Sequence, residues 1–382
     1  RRFLIRGAPP AASMLGGMGI KDVVGNLVGD KPIVLELDMA RGVLVARPTN
    51  PVQAIQLINS ATLGALRQHL ADAAEDPRVV GLIVHAVPSQ TLLAHIEEIA
   101  GLVEKFGEKK QTMAWAESFG ELSGGLSAYR LAVAADQIWV QPTGMLSIGG
   151  VELSITLLRG LLEKVGVEPQ FGQRHEYKTA ADSYAADHVT EANREMMQRL
   201  GQSLVDGIVA AVARRRGLSA AQVWEGVNGA PVTPERALEL GLIDRIGYRD
   251  EAYAATLEAW DARPEHLLFA QRYTSKAALR RKLQRGQAKV AVVTLRGTIV
   301  TGRGQRSPMG GEQAGADVVD EHLRSALRDD DVKAVILDVE SPGGSAVASD
   351  FIRRSVLRLR EAGKPVVAQM GHVAASGGYY VA

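Results

Sequence analysis

Short apolar runs alternate along this chain with longer stretches of helical period, the pattern of repeated β/α units. Lys364-Pro365-Val366-Val367-Ala368-Gln369-Met370 reads as a buried strand opened by a proline, and Ala334-Val335-Ile336-Leu337-Asp338-Val339 reads as another. Small residues follow each run and permit a sharp turn into a helix. After the second comes Ser341-Pro342-Gly343-Gly344, leading into a helical stretch from Ala346 to Glu361; after the first comes Ala374-Ala375-Ser376-Gly377-Gly378. The pattern then proves to be duplicated. Asp76-Pro77-Arg78-Val79-Val80-Gly81-Leu82-Ile83-Val84 matches Asp329 to Leu337 position by position, and Pro32 to Leu37 matches Lys289 to Leu295 as an opening strand. Thr91 to Phe106 and Thr112 to Trp115 parallel Ala346 to Glu361 and Val366 to Gln369, and Leu126 to Ala132 parallels Ser376 to Ala382. An internal repeat of one supersecondary unit follows.

Between the copies, the spacing predicts a strand at Gln137 to Val140, a helix from Ser154 to Val165 and a strand at Gln170-Phe171. A long amphipathic helix runs from about Thr190 to Gly217, with Met196, Leu200, Leu204, Ile208 and Val212 on one face. Thr233-Pro234-Glu235 opens another helix, with a capping threonine and proline at the first helical position. The chain divides accordingly into an N-terminal extension (1–30), a first repeat (31–150), a mainly helical segment (151–286) and a second repeat (287–382) expected to be incomplete, with apolar surface left open.

Composition narrows the functional classes. The 382 residues are 46% hydrophobic and 23% charged, ordinary for a globular protein. Lys+Arg number 44 against 43 Asp+Glu, a net charge of +1, so no basic field recruits nucleic acid. Arg214-Arg215-Arg216 and Arg280-Arg281-Lys282 are read as solvated charge at helix ends. With no cysteine, disulfides, thiol nucleophiles and Cys-ligated zinc are excluded. The most apolar N-terminal piece, Ala11 to Gly29, is broken by Lys21, Asp22 and Asn26 and is no membrane span. No metal or cofactor is called for.

Two Gly-rich strand-to-helix turns suit acyl transfer, one presenting a nucleophile and the other an oxyanion donor. Ser376 is the candidate nucleophile, although Ala374 replaces the first glycine of the Gly-x-Ser-x-Gly elbow. In the first copy Leu126 stands at the serine position and Val87-Pro88-Ser89 replaces the double glycine, so only the second copy is equipped for chemistry. A Ser-His-Asp triad would draw on His372 or His322 with Asp338 or Asp350; His372 reads instead as a polar residue of the turn.

Tyr177-Lys178-Thr179-Ala180 before a long helix, Ser341-Pro342-Gly343-Gly344, and Ala375-Ser376-Gly377-Gly378-Tyr379-Tyr380, in that order around a repeat, resemble the signal peptide peptidase A (protease IV) family of bacterial serine proteases. The resemblance spans roughly Pro32 to Ala382 and matches the family's long, two-repeat form. It implies a tandem Clp-protease/crotonase-like α/β fold and a Ser-Lys dyad, with Ser376 as nucleophile and Lys178 as general base. Gly343, Gly344 and Gly377 would line the oxyanion hole. It further implies homo-oligomeric assembly as a tetramer, a place at the bacterial membrane periphery, and cleavage of signal-peptide remnants or other unstructured peptides. A lysine base must be held neutral, and moving its pKa from about 10.4 to near 7 takes roughly 4–5 kcal/mol. Tyr177 and Tyr184 could wall it off from water, whereas Glu176 or Asp182 nearby would oppose the shift. A crotonase-like acyl-CoA enzyme and a catalytically impaired scaffold stand as alternatives.

Overall fold

The computed structural model describes residues 31–44, 61–89, 91–121, 124–275, 288–304 and 312–382. The extension 1–30 and the cluster Arg280-Arg281-Lys282 lie outside the described residues. The chain forms two compact units, one drawn from Arg1–Gln90 and Ile96–Ser275, the other from Thr91–His95 and Lys276–Ala382.

The first unit carries β1 (Ile33–Asp38), β2 (Val43–Leu44), β3 (Ala61–Thr62), α1 (Leu63–Glu75), β4 (Val79–His85), α2 (Leu93–Gly107), β5 (Gln111–Ala116), α3 (Leu126–Ala132) and β6 (Gln137–Val140). It continues with α4 (Arg159–Lys164), α5 (Asp182–Ala185), α6 (Glu191–Arg216), α7 (Ala220–Asn228), α8 (Pro234–Glu239), β7 (Arg245–Ile246), α9 (Arg249–Ala259) and β8 (Leu267–Phe269). Six strands form a parallel sheet in the order β7-β6-β5-β4-β1-β8. Both faces of its centre are covered, so β4 and β5 are buried almost without alternation, as parallel strands between two helical layers must be. On one face Val34, Ile83, Met113 and Trp115 pack beneath Ala252, Tyr253 and Leu257 of α9.

The second unit carries β9 (Lys289–Arg296), β10 (Thr298–Val300), β11 (Gln313–Gly315), α10 (Ala316–Arg328), β12 (Val332–Ser341), α11 (Ala346–Glu361), β13 (Val366–Ala374) and α12 (Gly377–Val381). Its parallel sheet, β13-β12-β9, repeats the order β5-β4-β1. The registers correspond too: Ile83 pairs with Glu36 and Met113, as Ile336 pairs with Val292 and Val367. The covering differs. Val335, Leu337 and Val339 are buried against α10 and α11, but Val290, Val292 and Val367 are 57%, 62% and 61% exposed. The strand expected to be buried at 364–370 is therefore a half-exposed edge strand. An apolar run records compatibility with burial; whether a second layer is present is not written in it.

Local signals are mostly realised. Thr190 caps α6 through a bond from the Asn193 N–H, and Gly217, in the left-handed region at φ +66°, ends it. Thr233 caps α8, with Pro234 leading. Elsewhere the structure corrects the expectations. The helix foreseen from Ser154 to Val165 is limited to α4, and Gln170-Phe171 is exposed coil with no strand. The stripe on α6 is buried at Ile208 and Val212, while Leu200 is exposed, because its apolar residues are buried only over the C-terminal half of the helix, from Val205 to Val212. Arg216 is not simply solvated: its guanidinium grips Asp244 through two 2.8 Å bonds and donates to the Gly241 carbonyl. Among the described residues, no helix is long and apolar enough to cross a membrane.

Candidate active site

β13 leads into a turn at Ser376 whose backbone is strained. With φ 49° and ψ −118°, Ser376 is one of three non-glycine residues at positive φ among the described residues. Such conformations cost on the order of 1–3 kcal/mol and persist only when the surroundings impose them. The imposing contacts can be named. The Ala375 N–H donates to the Ser341 carbonyl at 3.0 Å, and the Gly378 N–H donates to the Ala375 carbonyl at 2.9 Å. Ser376 itself is exposed, while Gly377 and Gly378 beneath it are buried.

The Ser-Pro-Gly-Gly turn lies directly against this serine. A Cβ on Gly343, whose φ is +95°, would stand 2.6 Å from Gly377 N and 2.7 Å from Ser376 Cβ. Only glycine allows that approach. Ser341, fully buried, donates its hydroxyl to the Gly297 carbonyl at 2.7 Å and accepts the Gly343 N–H at 3.1 Å. Gly343, one of the three oxyanion donors the resemblance implies, thus has its N–H engaged within its own turn. Gly344 follows it, and Gly377 is the first residue of α12.

The other candidate lies in the first unit. Lys178 precedes a 3₁₀ turn, Thr179–Ala181, and is exposed. Its N–H donates to the carbonyl of His175, which is also at positive φ, 65°. The tyrosines do not close over it. Tyr177 is 51% exposed and gives its hydroxyl to Glu195 Oε2 at 2.6 Å, a bond that raises its pKa, and Tyr184 stacks near Phe171 with ring centroids 5.9 Å apart. Asp182 is buried and accepts the Thr190 hydroxyl at 2.6 Å. Glu176 is exposed.

Among the described residues, the histidines and aspartates weighed for a triad are placed otherwise. His372 is part of β13 rather than of the turn, and its side chain is exposed; His322 is exposed on α10. Asp338 is ion-paired with Arg296 at 2.8 Å, and Asp350 accepts the Tyr380 hydroxyl at 2.7 Å.

Two features escaped the sequence. Glu340, immediately before Ser341, binds the main chain of β13 through its side chain. In the first unit, His85 is clamped between Asp38 (Nδ1 to Oδ1, 2.9 Å) and Glu117 (Nε2 to the carboxylate, 3.0 Å) at the C-terminal ends of β1, β4 and β5. Burial disfavours the imidazolium, but the two carboxylates outweigh it and push His85 up to about 9. Burial likewise opposes ionisation of Asp38 and Glu117, and their bonds to His85 reverse it, holding both below the usual carboxylate range. The copy without the glycine turns thus carries an ion cluster at the sheet edge where the other carries the serine. A histidine and an aspartate each ending an apolar run were the available signal. Among the described residues, no group of acidic and histidine side chains is arranged to hold a metal.

Comparison with known proteins decides the kinship. The model of "Peptidase family S49" matches residues 104–262. The chain is 29% identical over 324 residues to "Serine protease SPPA, chloroplastic" of Arabidopsis thaliana, covering 84% of this chain and 47% of that protein. It is 27% identical over 326 residues to "Protease 4" of Haemophilus influenzae, covering 82% and 51%. The chain carries a peptidase family S49 domain and is similar over most of its length to signal peptide peptidase A and protease 4 proteins. It spans about half the length of the curated relatives it matches. The residues that the S49 family model matches lie in the first unit and do not include the serine turn. Among solved structures, an enoyl-CoA hydratase/isomerase family protein from Silicibacter pomeroyi aligns with TM-score 0.34 and 17% identity, covering 67% of this chain and 85% of its own. A ClpP1 mutant from Listeria monocytogenes aligns with TM-score 0.30 and 12% identity, covering 58% and 94%.

Proposed function

We propose that this chain carries the catalytic groups of a serine endopeptidase that cleaves unstructured peptides, signal-peptide remnants among them, through an acyl-enzyme on Ser376 with Lys178 as general base. The observation that carries the proposal is the backbone of Ser376: a strained, exposed serine pressed against Gly343, in a family whose relatives are named as proteases. Strain of this kind is maintained against a free-energy cost, and nucleophile turns are a place where it is used.

In this mechanism neutral Lys178 Nζ takes the Ser376 hydroxyl proton as Oγ attacks the scissile carbonyl carbon. The carbonyl oxygen becomes an oxyanion, stabilised by the N–H groups of Gly344 and Gly377, with Gly343 contributing where its bond to Ser341 is exchanged. The lysine ammonium then protonates the departing amine, which leaves the acyl group on Oγ. Water, deprotonated by the same lysine, releases the acid and restores the hydroxyl. A lysine works as a base only when neutral, so exposed Lys178 must lose its water on substrate binding or on assembly into the homo-oligomer, a tetramer at the membrane surface, that we propose for the intact protein.

Fluorophosphonate labelling tests the reading. The intact protein should form one adduct at Ser376, lost in Ser376→Ala and in folded Lys178→Ala, with hydrolysis of a fluorogenic unstructured peptide lost in parallel. No adduct on the intact protein, or turnover of an acyl-CoA thioester in place of peptides, would overturn it.

A further inference from the structure

From the pairing of β12 with β13 we infer that Glu340 is a positioning residue for Ser376, an inference that rests on Ser376 being the nucleophile. The ladder pairs Val339 with Met370 and next Ser341 with Ala374, so the single residue Glu340 faces three on β13: Gly371, His372 and Val373. A bulge of this kind leaves main-chain amides without a ladder carbonyl. The Glu340 side chain supplies the missing acceptors. Oε2 accepts the His372 N–H at 3.0 Å and Oε1 the Val373 N–H at 3.2 Å, so both oxygens of one carboxylate are committed to consecutive amides. Glu340 is anchored from the other side as well, its carbonyl accepting the Gly297 N–H at 2.9 Å.

The fit around the carboxylate is close. A Cβ at Gly371 would fall 1.9 Å from Glu340 Oε2, so the bulge must open with glycine for the carboxylate to reach its amides. The bulge closes at Ala374, and the next residue, Ala375, is tied to the Ser341 carbonyl. Ser376 then enters its strained turn. Glu340 therefore sets the length and direction of the path into that turn without touching the reacting atoms. A charged acceptor suits the task, because its bonds are stronger than those of a neutral carbonyl and it needs no backbone of its own in the bulge.

The test uses the intact protein and three variants, Glu340→Ala, Glu340→Gln and Gly371→Ala. Each is followed by the rate of fluorophosphonate labelling, by kcat and KM for a fluorogenic peptide, and by amide exchange across residues 371–374. Displacing a nucleophile by about 1 Å can cost about 10²-fold. Glu340→Ala should lower the labelling rate and kcat by about that factor with KM nearly unchanged, and should deprotect the amides of His372 and Val373. Glu340→Gln, keeping one acceptor oxygen, should fall between. Gly371→Ala, which evicts the carboxylate without removing it, should behave like Glu340→Ala. Wild-type labelling with an unchanged rate in Glu340→Ala, or a loss matching the unfolded fraction alone, overturns the inference while sparing the nucleophile. No adduct on the wild-type protein sinks the nucleophile and the inference with it.

Discussion

Gly343→Ala is the most direct probe of how the serine is held. The new Cβ would stand 2.6 Å from Gly377 N, 2.7 Å from Ser376 Cβ and 2.9 Å from the Ala375 carbonyl oxygen, and all three are backbone or backbone-bound atoms that no side-chain rotation can move aside. The residue is also at φ +95°. Positive φ costs alanine on the order of 1–2 kcal/mol, and overpacking a tight contact adds about 1–3 kcal/mol. A total of about 3 kcal/mol lowers the unfolding temperature of a unit of about 100 residues by on the order of 15 °C. Relief comes most cheaply by pushing the Ser376 turn outward, and a shift approaching 1 Å costs about 10²-fold in rate. Calorimetry and fluorophosphonate labelling well below the unfolding transition read the two effects independently. A Gly343→Ala protein that labels at the wild-type rate and unfolds at the wild-type temperature would refute the account of the serine as held by contact with this glycine.

Ser376→Gly should abolish the adduct yet raise the stability of the second unit by about 1 kcal/mol, since glycine accepts φ 49° without strain; calorimetry showing a loss would contradict this. The His85 cluster gives the first unit a bounded pH range. The contribution of His85, raised to about 9, is complete below its ordinary value of about 6.5 and is lost as pH rises through about 9; those of Asp38 and Glu117, both depressed, are present above about pH 4 and are lost as pH falls through their lowered values. His85→Ala should cost about 1–3 kcal/mol, since Asp38 keeps Arg41 at 3.4 Å and Glu117 is half-exposed, and should remove the alkaline fall, as urea titrations at pH 7 and 9.5 would show. The open valine row should make the 382-residue chain self-associate, and Val292→Lys or Val367→Lys should suppress this; identical sedimentation of wild type and variants at rising concentration would refute it.

The duplication was legible because it rests on order and period, and the helix ends because they rest on local chemistry, as at Thr190, Gly217, Thr233 and Pro234. What could not be read depends on partners far off in sequence. Val292 and Glu36 occupy the same place in the two sheets, yet among the described residues only the first unit has a helix, α9, over that face, and nothing in the strand residues reports that. The Ser376 and Gly343 turns were recognisable as small-residue turns, but their contact was not, since it is made by the pairing of two strands. No sequence signal singled out Glu340. Its role exists only through a bulge on the neighbouring strand. His372 was misplaced for the same reason, because the bulge extends β13 beyond the end of its apolar run.

The Ser376 turn is kept at positive φ by its surroundings: Val381 in the second unit's core and the glycine contacts around the serine. On heating, this turn should relax before the sheets melt, so reactivity of the serine would fade while circular dichroism still reported a folded protein. The serine would then act as a thermometer of its own support, losing reactivity at temperatures the rest of the molecule withstands.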